Sequence, residues 1–256
     1  PEGNYPGAGR APFNDEYCDA LEHFKPAVVS FHFGLPGKRL VERVKGWGAK
    51  VISSATTVAE ARWLEANGCD AIIAQGAEAG GHRGIFLSDD VISGALSQPG
   101  TIALVPQVVD AVRVPVIAAG GIADGRGVAA ALILGAAGVQ LGTAYLFCPE
   151  AKTSAVHRRA LKETADDRTV LTNIFTGRPA RGLVNKVIED VGSLDRAAPA
   201  FPLASNAMAP LRAKAEAAGS GDYTSLWSGQ AAALCREQPA GELTRRLADD
   251  ALRHLG

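Results

Sequence analysis

One histidine and one carboxylate stand among four glycines in the segment 74–84, which reads AQGAEAGGHRG. His82 is its only side chain that titrates near neutral pH, so it could accept or release a proton during a reaction. Glycines lack a Cβ and let the backbone approach a ligand closely. The apolar run 69–74 before them indicates a buried strand. We therefore predict a binding loop at a strand end; the alternative is an exposed glycine-rich turn with a solvated histidine.

Two later apolar runs also end in residues that could receive a phosphate group. Gly120 and Gly121 follow the run 114–119, and Gly142 and Thr143 follow the next run. Glycine N–H groups can reach a phosphate without steric hindrance, and the Thr143 hydroxyl adds a donor. TIM barrels often bind phosphate with the loops after their last two strands. These positions predict a phosphate site, the alternative being two ordinary turns at strand ends.

The elements that must position these residues follow the order of an α/β protein. Apolar runs alternate with helical periodicity up to about residue 150, which indicates βα units and a parallel sheet. A TIM barrel and a doubly wound sheet both fit, and the phosphate loops favour the barrel. No G-x-G-x-x-G motif follows a strand, which disfavours a Rossmann dinucleotide site. The predicted strands are 27–34, 49–55, 70–74, 114–121 and 138–143.

Helix signals separate the predicted strands. Thr57 and Glu60 predict a capping box for a helix at 58–67, and Asp124 predicts the start of another helix. The remaining helices of this half are predicted at 15–24, 37–47 and 101–113.

The second half of the chain has a different organisation. Residues 152–164 and 240–255 have helical spacing, whereas 175–182 has the composition of a basic loop. Its Arg178 and Arg181 could hold an anion or could simply be solvated. The sequence therefore predicts barrel strands in residues 1–150, followed in residues 151–256 by a helical and loop extension that covers the active site. Within this extension Tyr223 and Trp227 could cover a flat ligand, or else pack on the barrel.

Composition narrows the classes of function. The net charge of −1 gives no electrostatic reason to expect nucleic acid or a membrane surface as a partner. No apolar run reaches the roughly 18 residues that span a bilayer, and we expect no secretory signal. The four cysteines are scattered without metal-ligand spacing, so we predict buried thiols in a cytoplasmic protein and no metal site. Many alanines, glycines and arginines and a single methionine suggest a GC-rich bacterial source.

Five segments together resemble the nitronate monooxygenase family, formerly called 2-nitropropane dioxygenase, in its bacterial and fungal class. They are AQGAEAGGHRG, PVIAAGGIADGRG, GVQLGTAYL, FTGRPARG and SLWSGQAAA. The resemblance implies a TIM-barrel flavoprotein with non-covalent FMN that oxidises alkyl nitronates with O2 to a carbonyl compound and nitrite. It implies that His82 is the catalytic base. The cofactor-binding residues we expect are Gln75, Gly80, Gly81, Gly120, Gly121, Gln140, Leu141, Gly142 and Thr143.

The resemblance also implies a departure from a complete barrel. The predicted strands correspond to the fourth to eighth barrel strands, so about three βα units are expected to be lacking at the start. Open sheet edges would favour association with a second copy of the chain.

Three functions stay open at this point. The first is an FMN-dependent nitronate monooxygenase that acts on nitronates or nitroalkanes and O2 in nitroalkane detoxification. The second is a related FMN enoyl-ACP reductase or NAD(P)H:quinone reductase, and the third is a truncated, non-catalytic barrel fragment.

Overall fold

A five-stranded parallel sheet forms the centre of the computed structural model, which describes residues 11–256. Its spatial order is β1-β2-β3-β5-β6, and every neighbouring pair is parallel. The strands are β1 (Val28–Phe31), β2 (Lys50–Ala55), β3 (Ala71–Gln75), β5 (Val116–Ala119) and β6 (Gly138–Gln140). All five predicted strands are therefore present, with ends shifted by a few residues. The last prediction ran too far, because Thr143 begins a helix instead of ending the strand.

Helices connect these strands and cover them. They are α1 (Asp15–Phe24), α2 (Lys38–Gly46), α3 (Val58–Ala66), α4 (Val91–Leu96), α5 (Thr101–Ala111), α6 (Gly125–Ile133) and α7 (Thr143–Leu146). The predicted caps are confirmed for α3 and α6, where Thr57 Oγ1 accepts from Glu60 N and Asp124 Oδ1 accepts from Arg126 N. The capping box is wrong in its second half. The buried Glu60 carboxylate accepts instead from the Thr56 N–H and hydroxyl and from Phe86 N–H.

The apolar core lies between the sheet and its helices. One cluster, which includes Val44, Val51, Leu64, Ile72 and Val105, is almost completely buried. The central strands β3 and β5 are mostly buried, which agrees with their continuous apolar runs, whereas the edge strands β1 and β6 are partly exposed.

A second apolar cluster joins the C-terminal region to the sheet. Leu243, Leu247 and Ala251 of helix α11 (Ala240–Leu255) belong to the same cluster as Val128 and Ala129 of α6. The predicted packing face of residues 240–255 is therefore confirmed, although Leu255 at its end is 42% exposed.

A small antiparallel sheet was not predicted. Its order is β4-β8-β7, with β4 (Gly81–His82), β7 (Thr169–Thr172) and β8 (Ala180–Leu183). The prediction of a loop at 175–182 is thus wrong at its C-terminal end, because β8 pairs with both β7 and β4. The remaining helices are α8 (Ala155–Glu163), α9 (Lys186–Val191) and α10 (Ala204–Ala217), and a short 3₁₀ helix covers Ala232–Leu234.

The parallel sheet is open within residues 11–256. Strands β1 and β6 lie at its two edges and do not pair with each other. The α/β class is confirmed, and five consecutive parallel strands occupy the order expected of one part of a barrel. The first ten residues of the predicted 1–150 region lie outside the described residues. In the described part of the chain no helix has both the length and the apolar character needed to cross a membrane.

Candidate active site

A cavity of about 230 Å³ lies at the carboxyl ends of β3, β5 and β6. Parallel α/β sheets bind their ligands at this end of the strands. Eight of the nine predicted cofactor-binding residues line the cavity: Gln75, Gly80, Gly81, Gly120, Gly121, Gln140, Gly142 and Thr143. Its other lining residues include Ala79, Ile122, Leu146, Trp227, Gly229 and Cys235.

Leu141 is the predicted residue that the structure does not bring to this cavity. Leu141 follows directly after Gln140, the last residue of β6. Its apolar side chain packs against the cluster formed by α6, α11 and their neighbours. Leu141 therefore does not line the cavity, and its predicted role in cofactor binding stays a prediction.

The glycines of the cavity have two different roles. A Cβ added to Gly81 or Gly142 would meet no atom within 4 Å, so these two positions leave room for a ligand. At Gly80 the added atom would lie 2.4 Å from Gly229 N, and at Gly120 it would lie 2.9 Å from Ala79 N. Gly80 and Gly120 are therefore required by contacts between protein segments, which the sequence interpretation did not foresee.

The tail segment that contains Trp227 closes one side of the cavity. The Gly229 N–H donates to Thr143 Oγ1 over 2.9 Å, and the Gln230 N–H donates to the Glu78 carbonyl over 3.0 Å. Thr143 accepts in this bond and so still has its hydroxyl proton to donate. Trp227 and Tyr223 both pack against the apolar cluster that contains Phe175, but of the two only Trp227 also lines the cavity.

His82 lies beside the cavity on β4. Its ring centroid is 5.4 Å from that of Trp227, which lines the cavity. Phe201 and Phe33 present their rings edge-to-face to it at 5.5 and 6.0 Å. His82 Nε2 is 2.9 Å from Thr176 Oγ1. The predicted base is therefore held among aromatic rings next to the predicted cofactor residues, and the alternative of a solvated histidine is wrong.

The backbone of His82 is fixed by two side chains. Gln75 Nε2 donates to the His82 carbonyl over 3.0 Å, and His32 Nε2 approaches the same oxygen at 3.2 Å. Gln75 Oε1 also accepts from Gly84 N–H at 2.8 Å. Gln75 thus lines the cavity and also holds the histidine segment from both sides. Burial lowers the pKa of His32, which favours the neutral ring that makes this contact.

A buried arginine supports the glycine loop, and the sequence interpretation missed it. Arg83 is completely buried, and its guanidinium donates to the carbonyls of Gln75, Gly76 and Ala79 and to Gln98 Oε1. Burial lowers the Arg83 pKa to about 10, so the group is still charged at neutral pH. In the sequence, the only sign of this supporting role is that a charged residue stands directly between His82 and Gly84.

The two arginines of the 175–182 segment bind protein groups and are not solvated. Arg181 Nε donates to the Ala77 carbonyl over 2.9 Å. Arg178 donates to the Ile85 carbonyl, and its guanidinium carbon lies 4.2 Å from the centre of the Phe33 ring. Burial lowers the pKa of both arginines.

Phe33, which the sequence interpretation did not single out, has a positive φ of 66°, a conformation that costs energy in a bulky residue.

The four cysteines are buried and form no disulfide, as predicted. Burial raises the pKa of Cys69 to about 12 and that of Cys235 to about 11. Residues 11–256 contain no group of three His, Cys, Asp or Glu side chains that could hold a metal ion.

Comparison with known proteins gives a consistent result. The family model described as nitronate monooxygenase matches residues 13–250. The nitronate monooxygenase of Pseudomonas aeruginosa is 45% identical over 88% of this chain and 64% of its own length. A probable nitronate monooxygenase of Staphylococcus saprophyticus is 41% identical, over 93% of this chain and 66% of its own length. The chain therefore spans about two thirds of the length of these curated relatives.

Solved structures share the fold. A nitroalkane oxidase from Streptomyces ansochromogenes superposes with a TM-score of 0.86 at 41% identity, over 93% of this chain and 68% of that one. FabK from Thermotoga maritima superposes with a TM-score of 0.78 at 30% identity, over 96% of this chain and 74% of that one. With a family model that matches nearly the whole length and relatives above 40% identity, this chain belongs to the nitronate monooxygenase family.

Proposed function

We propose that this chain carries the FMN site and the catalytic base of an enzyme that oxidises alkyl nitronates with O2 to a carbonyl compound and nitrite. The observation that carries the proposal is the cavity at the strand ends, lined by eight predicted cofactor residues and bordered by the ring of His82. Membership of a family of flavin-dependent oxidoreductases supports it.

The lining residues fit a flavin mononucleotide. Gly81 and Gly142 leave space that a side chain would otherwise fill, and Thr143 offers a hydroxyl donor beside them. We assign Gly121, Gly142 and Thr143 to the phosphate group and Gln75, Gly80 and Gln140 to the rest of the cofactor. Bound FMN would supply the electron acceptor that no protein side chain provides.

His82 would prepare the substrate. Its imidazole is suited to remove the proton from the carbon that bears the nitro group, because a histidine pKa lies near working pH. A nitronate has already lost this proton and needs only to be bound. The rings of Phe33, Phe201 and Trp227 surround His82 and would exclude water from the reacting carbon while they contact the alkyl group.

Two measurements on the purified chain test the proposal. The first is the visible spectrum, followed by identification of any cofactor released by heat. The second is nitrite production from propyl nitronate in air without NAD(P)H. We expect FMN and nitrite. Bound FMN with turnover that requires NAD(P)H would favour the reductase alternative, and a colourless protein that refuses added FMN would favour the non-catalytic alternative.

A further inference from the structure

The hydroxyl of Thr176 contacts both the ring of His82 and the backbone of Arg178. Thr176 Oγ1 lies 2.9 Å from His82 Nε2, 3.2 Å from the Arg178 carbonyl oxygen and 3.4 Å from Arg178 N. Thr176 is 9% exposed, so these contacts largely decide where its proton points. A threonine hydroxyl has one proton to donate and two lone pairs that accept.

Two of the three contacts have a fixed direction. The Arg178 carbonyl can only accept, so it takes the hydroxyl proton, and the Arg178 N–H can only donate, so it occupies one lone pair. The second lone pair then faces His82 Nε2, which must carry a hydrogen to make a favourable contact. We propose that Thr176 is a positioning residue that holds neutral His82 as the tautomer with hydrogen on Nε2.

The backbone around this contact is held from several sides. Thr176 lies in the turn between β7 and β8, and β8 pairs Ala180 with His82. Gln75 at the end of β3 and His32 directly after β1 contact the His82 carbonyl. The ring and the backbone of His82 are therefore fixed by different parts of the fold, which leaves little freedom for the ring to turn.

The tautomer decides which atom works as a base. With hydrogen on Nε2, the lone pair of neutral His82 is on Nδ1. When the C–H bond of a nitroalkane breaks, its proton passes to Nδ1, and its electron pair stays on the substrate as the nitronate. The Nε2–H is present before and after this step, so the contact with Thr176 survives protonation of the ring. The role of Nδ1 as a base rests on the proposed function, whereas the assignment of the tautomer does not.

Nitrogen NMR of protein labelled with ¹⁵N-histidine tests the assignment. The spectrum is recorded well above pH 7, and His82→Gln identifies the His82 signals by their loss. We expect Nε2 to be protonated and Nδ1 to be unprotonated.

In Thr176→Val we expect signals of mixed tautomers and a fall in nitroalkane turnover of roughly five- to tenfold, the effect of one lost hydrogen bond. Thr176→Ser should restore both, and Thr244→Val on the exposed side of α11 should change neither.

Two results would overturn the proposal. Hydrogen on Nδ1 in the unmodified protein would show that Thr176 donates to the ring, and unchanged tautomer signals in Thr176→Val would remove its positioning role. If Thr176→Val does not fold, the His82 tautomer signals of the unmodified protein and of Thr176→Ser still test the assignment. Absence of nitrite production together with the Nε2–H tautomer would contradict the proposed function and leave the tautomer standing.

Discussion

At the scale of single residues, the residue that we propose to transfer a proton differs from the residues that hold the backbone of the site. His82 is the one side chain beside the cavity that we assign to proton transfer, whereas Glu78 is bound by the Thr101 N–H and hydroxyl. The charged residues near the cavity therefore serve mainly to hold backbone in place. This distinction decides what each substitution should change.

Replacement of His82 by asparagine should slow turnover of neutral nitroalkanes by roughly 10²- to 10⁴-fold, the range for loss of a general base. Preformed nitronates should lose less, because their proton is already gone. Nitrite release from nitroethane and from its nitronate measures both. His254→Asn, at an exposed position near the end of α11, is the matched control. Equal losses on the two substrates would contradict the role of His82 as a base.

Replacement of Arg83 by methionine should lower the free energy of unfolding by roughly 2–4 kcal/mol. The reason is that several buried oxygens would lose a charged donor. Arg83→Lys should recover only part of this, since an ammonium group cannot replace the guanidinium fork. Urea unfolding measures the change, with Arg62→Met on the exposed side of α3 as control. Full stability in Arg83→Met would mean that the loop does not depend on this residue.

At the scale of secondary structure, the cavity that we propose to hold FMN depends on where strands end. Gly142 precedes the four-residue helix α7, and its φ of −109° is open to other residues. Gly121, by contrast, has a φ of 69°, so a valine there would strain the backbone whether or not a cofactor binds. A substitution at Gly142 therefore tests cofactor binding without straining the backbone.

Gly142→Val should weaken FMN binding at least about tenfold in Kd, which corresponds to about 1.4 kcal/mol, because its side chain would occupy the cavity. Gly138→Val is the matched control: it also has open space around its Cβ, but it lies on β6 outside the cavity lining. Fluorescence titration with FMN measures both, and thermal unfolding verifies the fold. Unchanged affinity in Gly142→Val would remove this residue from the cofactor site.

The five strands of the parallel sheet and the helices α1, α2, α3, α5 and α6 could be predicted because their signals are local, whereas β4 and the short helices α4 and α7 were not predicted. Val51, Ile72 and Val116 belong to apolar runs that read as buried strands without any knowledge of their neighbours. Strand β8 could not be predicted, since its sequence, ARGL, contains a charge and a glycine. Arg181 is buried there, and its guanidinium donates to the Ala77 carbonyl, which lies 104 positions away in the chain. Long-range contacts of this kind have no local signature.

At the scale of the whole molecule, the structure accounts for the chemistry of its thiols. Burial raises the pKa of all four cysteines, so the reactive thiolate is scarce at pH 8. We expect fewer than about one thiol per native chain to react quickly with a disulfide reagent, and four to react after denaturation. The rate should rise with pH in the native state. Rapid reaction of all four native thiols would contradict the packing.

The open edges of the parallel sheet bear on the predicted association with a second copy of the chain. Val28 on the edge strand β1 is 52% exposed. Association with a second copy stays a prediction, as do a cytoplasmic location and a role in nitroalkane detoxification. Light scattering on the purified chain would give its mass in solution.

The pairing of β4 with β8 has a consequence for how the protein is made. His82 and Thr176 are separated by 94 positions in the chain, whereas the strands of the cofactor cavity all precede residue 141. At a synthesis rate of about 5–20 residues per second, a ribosome would release Thr176 roughly 5–20 s after His82. The cavity loops can therefore form on the growing chain before the histidine is held. We expect the nascent protein to form the strand-end loops of the cavity first, the contact that holds His82 next, and the Trp227 side of the cavity last.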